Sequence, residues 1–387
     1  MKYFDCAATV PMDEEAISAY VEMNKMYFGN SESHHNIGIG ARDVLENCRS
    51  ILAERMGIEP RGLFFTSGGT ESNLLAILSL ARKARETGKG NHIITAESEH
   101  NSVHSAFSFL EKEGFHVTKL KMEKDGRISP KRVLENLRSD TILISIQHVN
   151  QEIGTIQPIQ EISRLIDRNK VLFHTDCVQS FGKVDVRTII PYVDSITVSS
   201  HKIGGPKGVG AVYIHPDCSY EPVFPLLSQE HGFRGGTVNV PGIAAFAVAA
   251  AKTDPPSYWK ECLRKRELFR SALPSFPYTI YEAEQSAQLP SIIGMAMDGI
   301  EGQLVMLECN RLGFAISTGS ACSESKGEGA KTMAAIGEPD ASAKQFFRIS
   351  FSHQTADIDI IELAKALFGI ARKFSPGSLA QRTMVQS

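Results

Sequence analysis

The chain has 387 residues, 42% of them hydrophobic and 22% charged, a globular composition that excludes wholesale disorder. Its 41 basic side chains face 44 acidic ones, a net charge of −3, so no cationic excess is available for phosphates and dedicated nucleic-acid binding is disfavoured. At about 150 residues per domain the length suggests two or three domains with an ample core. The seven cysteines (Cys6, Cys48, Cys177, Cys218, Cys262, Cys309 and Cys322) are odd in number, scattered and never arranged as C-x-x-C. That pattern disfavours a disulfide framework and a zinc site, and suits a reducing cytosol. The opening MKYFDCAATVP has no apolar core, and the apolar run VPGIAAFAVAAA (240–251) is too short to span a bilayer. A soluble cytoplasmic protein, without membrane contact or metal, is the expectation.

The first periodic segment is ARDVLENCRSILAERMG (41–57), where Val44, Leu45, Cys48, Ile51 and Leu52 form one apolar stripe of a helix. From about 60 to 215, β-branched runs alternate with helical patterns. Strands are expected at 62–67, 92–97, 116–122, 141–149, 171–177, 194–200 and 208–215. Helices are expected at 70–84, 102–114, 130–138 and 162–170, with Ser129-Pro130 reading as a helix start. Such alternation predicts an α/β fold with a mostly parallel sheet whose ligands bind at the carboxyl ends of the strands. The two prolines in KTDPPSY (252–258) read as a hinge. The expected division is an N-terminal segment 1–15, a large domain 16–255 and a small C-terminal α+β domain 256–387, with a frayed end after Ser375.

Several residues carry chemistry. TSGGTES (66–72) joins a strand to a helix and could cradle an anion on backbone N–H groups, although it is neither G-x-G-x-x-G nor a P-loop. Asp176 ends a strand and could pair with a cationic ring nitrogen; an ordinary N-cap is the commoner fate of a lone aspartate. Lys202, in SSHKIGGPKG, could form a Schiff base if desolvated, with Lys207 a second candidate and a surface lysine the plain alternative. His100 could stack over a flat ring or shuttle protons. Together these are the parts of a pyridoxal phosphate site: phosphate cradle, stacking ring, acid and lysine. Cys322, in the small polar stretch STGSACSES, reads as an exposed reactive thiol in a mobile loop, whereas Cys6, Cys48 and Cys177 read as buried small hydrophobes. Arg348 lies in a strand-like run and needs a partner, either a substrate carboxylate or a structural carboxylate.

Over nearly its whole length the sequence resembles the cysteine desulfurase family, in the subgroup with a cysteine on a long loop. The matching segments include FTSGGTESNLLA (65–76), ESEHNSV (97–103), HVNQEIGTIQPI (148–159), HTDCVQSFGK (174–183), SSHKIGGPKGVGA (199–211), FRGGTVN (233–239), STGSAC (317–322) and RISFS (348–352). The resemblance implies fold type I of the pyridoxal phosphate enzymes, with a seven-stranded sheet in the large domain, and a homodimer. It implies that L-cysteine is converted to L-alanine, the sulfur passing as a persulfide on Cys322 to an acceptor of iron–sulfur or thiolation pathways. It implies Lys202 as the Schiff-base lysine, Asp176 as the ring-nitrogen partner, His100 as the stacking and acid–base residue, and Gln179 as partner of the phenolic oxygen. Gly69, Thr70, Ser199 and His201 match the phosphate cradle, and Thr237 a phosphate contact from the neighbouring subunit. Arg348, Asn150 and Gln151 match the substrate side, and Gln151 a cofactor contact as well. The family's usual Asn-Asn-Glu reads Asn150-Gln151-Glu152, and His231 stands where arginine is customary. Cys6 and Val10 replace a customary tyrosine and threonine, and the loop after Cys322 is more charged than usual. The rival readings are a selenocysteine lyase or aminotransferase of the same fold, and a non-catalytic scaffold that retains it.

Overall fold

The structure, a computed structural model, describes residues 1–318 and 331–374. A parallel pair, β1 (Lys2–Tyr3) with β11 (Phe314–Ala315), ties the N-terminus to the C-terminal part. Helix α1 (Glu14–Met26) starts at Asp13, whose carboxylate accepts the Glu15 N–H at 3.0 Å, and α2 (Asn36–Met56) ends at Gly57 in the left-handed conformation (φ 69°).

The central sheet holds β2 (Leu63–Thr66), β3 (His92–Ala96), β4 (His116–Leu120), β5 (Thr141–Ser145), β6 (Leu172–Asp176), β7 (Ser195–Ser199) and β8 (Gly210–Ile214). They lie in the order β2-β8-β7-β6-β5-β3-β4. Neighbours are parallel except at β8, which is antiparallel to both β7 and β2. Strands β2, β3, β5, β7 and β8 are buried throughout, as a sheet covered on both faces requires. The covering helices include α3 (Gly69–Glu86), α4 (Asn101–Lys112), α5 (Pro130–Asn136), α6 (Ile159–Leu165) and α7 (Val240–Ala251). Each expected strand is present, trimmed by one to four residues. Helix 162–170 was expected too late: the helix starts after Pro158, and residues 166–170 leave it.

The edge strand β2 is closed by a buried ion pair. Arg49 donates to the Leu63 carbonyl at 2.6 Å and holds Glu230 at 2.9 and 3.0 Å, while Glu230 accepts the Phe65 N–H at 2.6 Å. Edge groups that could template another strand are thereby satisfied within the chain. The carboxylate is delivered by a strained turn, with Glu230 (φ 45°) and His231 (φ 55°) both left-handed.

The 252–258 break is a helix start. Asp254 caps α8 (Pro255–Ala272), its carboxylate accepting the Ser257 N–H at 3.2 Å, and both prolines occupy the first turn where a missing N–H costs nothing. Beyond it β12 (Phe346–Ser350), β10 (Ile292–Met297) and β9 (Tyr278–Tyr281) form an antiparallel sheet in that order. Helices α9 (Gly302–Arg311), α10 (Lys331–Ala335), α11 (Asp340–Ala343) and α12 (Asp357–Phe374) complete this part. Its core joins Phe269, Met295, Phe347 and Leu363 with Phe4 from the N-terminal segment.

Candidate active site

Helix α3 begins with Gly68 at φ 146°, a conformation only glycine adopts readily, and Gly69 is its first residue. A Cβ on Gly69 would lie 2.8 Å from Val178 Cγ2 and 3.7 Å from Ser199 Cβ, so the first turn of α3 faces the ends of β6 and β7 too closely for any side chain. Free N–H groups at that helix start, with Thr70 exposed beside them, form a cradle suited to a phosphate.

Asp176 closes β6 and is buried. Its Oδ1 accepts the Val178 N–H at 2.9 Å and its Oδ2 accepts from Asn73 Nδ2 at 2.7 Å. His100 caps α4: its Nδ1 accepts the Ser102 N–H at 3.2 Å and meets Ser102 Oγ at 2.8 Å. Burial pushes the His100 imidazole down; Asp176 pulls it back, and Lys202 and Lys331 push it lower. The ring is therefore neutral near neutrality, and with Nδ1 accepting, its proton sits on Nε2.

Lys202 lies just after β7, in a helical turn, half-buried. Its amine donates to the carbonyls of Ala7 (2.6 Å) and Ala8 (2.8 Å). Burial first, then the charges of Lys183 and Arg348, push that amine down to about 7, against the pull of Asp176 and Asp5. An amine half-deprotonated at neutral pH is a ready nucleophile toward an aldehyde. Lys207 is exposed on the same loop. A cavity of about 630 Å³ opens beyond Lys202, lined by Cys6, Ala7, Lys183, Tyr258 and Ser350; Lys202 forms part of its wall, and His100 and Asp176 do not.

The remaining expected residues separate into two groups. Gln179 donates to the Ala7 carbonyl at 2.8 Å and takes a 3.4 Å hydrogen bond from Lys183, and His201 Nδ1 meets Thr9 Oγ1 at 3.1 Å. Both therefore stand with Lys202 against the N-terminal segment, and Ser199 ends β7 beside Gly69. On the other side, buried Arg348 binds Asp5 at 2.6 Å and the Gln151 carbonyl at 2.8 Å, so a structural carboxylate already answers its charge. Asn150 accepts the N–H groups of Glu152 and Ile153, both at 2.9 Å, and donates to Thr332 Oγ1 at 3.0 Å. Its oxygen is thus committed to the turn that also holds α10. Thr237 is exposed after the 229–236 turn. Cys6, Cys48 and Cys177 are buried as expected. Cys322 lies outside the described residues.

Three polar residues of this site had no sequence signal of their own. Asn73 and Ser102 sit within helical patterns and His174 within a strand, where isolated polar residues are unremarkable; only the fold joins them to Asp176 and His100.

The donor set fits pyridoxal phosphate: a helix start for the phosphate, a carboxylate held by two donors for a ring nitrogen, a neutral imidazole, and an amine poised near neutrality. Such a set on an α/β sheet of this order defines a fold type I pyridoxal phosphate enzyme. Residues 2–363 match the class-V aminotransferase family, and the chain belongs to it, among the cysteine desulfurases. It is 45% identical over 363 residues to a NifS protein of Bacillus subtilis, covering 92% of this chain and 91% of that one. It is 36% identical over 380 residues to the cysteine desulfurase IscS of Dictyoglomus turgidum, covering 97% and 96%. Among solved structures, a NifS-like protein superposes with a TM-score of 0.88 at 28% identity (96% of this chain, 100% of that one). SspA in complex with cysteine superposes with 0.80 at 31% identity (92% and 100%).

Proposed function

We propose that this pyridoxal phosphate-dependent enzyme takes sulfur from L-cysteine, releases L-alanine, and passes the sulfur as a persulfide on Cys322 to an acceptor protein serving iron–sulfur cluster or thiolation pathways. The observation that carries the reading is the Lys202 amine, pushed down to about 7 on the same sheet edge as Asp176 and the α3 helix start. Bound pyridoxal phosphate would supply the aldehyde that binds the lysine or substrate amine and a ring that withdraws electrons from the substrate Cα. Gly69, Thr70, Ser199 and His201 would hold its phosphate, Asp176 its ring nitrogen, Gln179 its phenolic oxygen and His100 its face. Lys202, when its amine is free, moves the Cα proton. The Cys322 thiolate attacks the substrate sulfur; an S–S bond forms, the C–S bond breaks, and its electron pair stays with the three-carbon fragment, which takes up a proton and leaves as L-alanine.

Arg348, Asn150 and Gln151 are assigned to the substrate carboxylate. For Arg348 this requires exchange of its Asp5 partner for the incoming carboxylate. The homodimer is supported by apolar side chains exposed on and after α1 (Ile17, Tyr20, Val21, Met26, Phe28) and by the exposure of Thr237, assigned to the partner's phosphate. A reducing cytosol is supported by the six described cysteines, all free. No helix among the described residues is long and apolar enough to cross a membrane.

Two experiments test this. Borohydride reduction of the holoenzyme should fix the cofactor on Lys202, and labelling at Lys207 instead would overturn the assignment. Cys322→Ala should keep the cofactor yet release no alanine and carry no persulfide. Undiminished alanine release would mean that the sulfur leaves at the elemental oxidation level without Cys322, which would overturn persulfide transfer through that thiol.

A further inference from the structure

Asn73 lies one helical turn inside α3, four residues after Gly69, and is 1% exposed. Its surroundings fix the direction of every hydrogen bond it makes. The Asp176 carboxylate can only accept, so the atom 2.7 Å from Oδ2 must be the amide nitrogen of Asn73. The second amide hydrogen then points to Ser102 Oγ at 2.9 Å. The Asn73 oxygen is left facing His174 Nε2 at 3.1 Å, which must donate, and the opposite His174 nitrogen accepts from Ser195 Oγ at 3.1 Å. His174 is fully buried, and burial pushes its imidazole down to about 3, so it stays neutral and this tautomer is the one compatible with both partners. On the far side, Ser102 Oγ accepts from Asn73 and turns its own hydrogen to His100 Nδ1, which also accepts the Ser102 N–H.

We propose that Asn73 is a positioning residue of the cofactor site: its two amide hydrogens hold the Asp176 carboxylate directly and the His100 ring through Ser102, so that one side chain sets the placement of the acid and, together with the Ser102 N–H, the tautomer of the histidine. The helix that offers its N-terminus to the phosphate thereby also carries the clamp for the ring nitrogen's partner and for the stacking residue. His100 is left with its only hydrogen on Nε2, so toward the cleft it donates and does not accept. The proposal rests on the reading of Asp176 and His100 as cofactor residues, and its tests separate the two.

The first measurement uses the apoprotein, before any cofactor is added. With 15N-labelled histidine, and His100→Gln to identify the signal, His100 should show the Nε2–H tautomer in the wild type. In Ser102→Ala, which leaves the Asp176 contact in place and only the 3.2 Å backbone N–H on Nδ1, the Nδ1–H fraction should rise above that of the wild type. A wild-type His100 protonated on Nδ1 overturns the proposal whether or not pyridoxal phosphate binds. The second measurement titrates apoprotein with pyridoxal phosphate. Asn73→Ala removes a hydrogen bond to a charged group and should weaken binding roughly tenfold to a hundredfold. It should also move the pH midpoint of the bound cofactor's visible absorbance, which simple loss of packing would leave unchanged. Ser102→Ala should weaken binding less than Asn73→Ala does, since it loses only the His100 arm of the clamp and keeps the Asp176 contact. Wild-type affinity and an unmoved midpoint in Asn73→Ala would overturn the clamp. If Asn73→Ala does not fold, the Ser102→Ala tautomer result decides alone. Failure of wild-type apoprotein to bind pyridoxal phosphate would count against the proposed function and leave the tautomer result standing.

Discussion

At the scale of single residues, ionisation states decide what the site can do. Lys202 titrates near 7 because burial and two nearby cations disfavour its charged form; a free lysine would titrate near 10.5. Only the neutral amine attacks an aldehyde, so capture of pyridoxal phosphate by the apoprotein should rise through about pH 7 and level off above it. Capture that keeps climbing through pH 9 would mean that the amine is not depressed. Glu99, next to His100, presents the opposite case. It is fully buried, accepts the Gln147 N–H at 2.7 Å through one oxygen, and has no partner among the described residues for the other. Burial raises its carboxyl well above the usual range, with Asp176 adding to the shift. A group raised in this way stabilises the fold in acid and loses that contribution as pH rises through its folded value. Glu99→Gln keeps the shape without the titration, so its melting temperature should gain on the wild type from pH 4.5 to pH 8; an equal offset at both would sink the argument. These two residues also show what could be seen in the sequence. The positions of Lys202, Asp176 and His100 were legible because each follows or closes a strand of the central sheet. Glu99 and Asn73 were not, because their significance lies in contacts with residues far along the chain: Gln147 in one case, Asp176 in the other.

At the scale of elements, the sheet was legible because buried strands are short β-branched runs punctuated by glycine and polar turns. The C-terminal sheet was not, apart from the run around Arg348: β9 is half-exposed and β10 reads IIGMAM, with a glycine at its centre. The 252–258 break begins a helix for a physical reason. Proline breaks a helix in its interior but starts one well, and only the Asp254 cap distinguishes the two. The turn before α3 yields a prediction of its own. A Cβ on Gly210 in β8 would stand 2.6 Å from Gly68 Cα, 2.7 Å from Gly68 C and 2.9 Å from the Val198 carbonyl oxygen, all backbone atoms that cannot swing aside. Gly210→Ala must therefore displace either the β7–β8 pairing or the phosphate turn. Overpacking of this kind costs about 1–3 kcal/mol, so stability should fall by that amount and cofactor affinity should fall with it. Gly208→Ala is the control: its Cβ meets nothing within 4 Å, and only the left-handed φ of 78° is penalised. Equal cofactor affinity in the two variants would show that the turn is not wedged.

At the scale of the whole molecule, the histidines set an acid limit. Burial pushes His92, His104, His148 and His201 down to about 4 and His174 to about 3, each from an ordinary value near 6.5. They are spread from β3 to the loop after β7, so they report on the large sheet as a body. The sign follows from proton counting. Between pH 6.5 and about 4 the unfolded chain binds protons at these positions and the native chain does not, so native stability falls as the pH drops through that window. The paired carboxylates add a loss of the same sign at lower pH: Asp357 and Glu261, held by Arg264 and Lys265, are both pushed down to about 2, so their contribution disappears only below about 4.5. The two causes are thus separated on the pH axis. The midpoint of urea unfolding should decline steeply from pH 6.5 to 4.5, before carboxylate protonation is far advanced. His92 gives the cleanest probe, because among the described residues its two ring nitrogens contact the Thr141 and Thr118 hydroxyls at 2.7 and 2.9 Å and none of the residues proposed for the cofactor. A glutamine there retains polar reach without a titrating ring, so His92→Gln should reduce the slope in this window by one histidine's share, at most about one fifth, with His100 and His353 also pushed down. The variant's own loss of stability at pH 8 is read from the plateau and does not enter the slope. A midpoint that stays flat from pH 6.5 to 4.5 in the wild type would mean that these histidines take up protons without unfolding, and the buried neutral state assigned to them would be wrong.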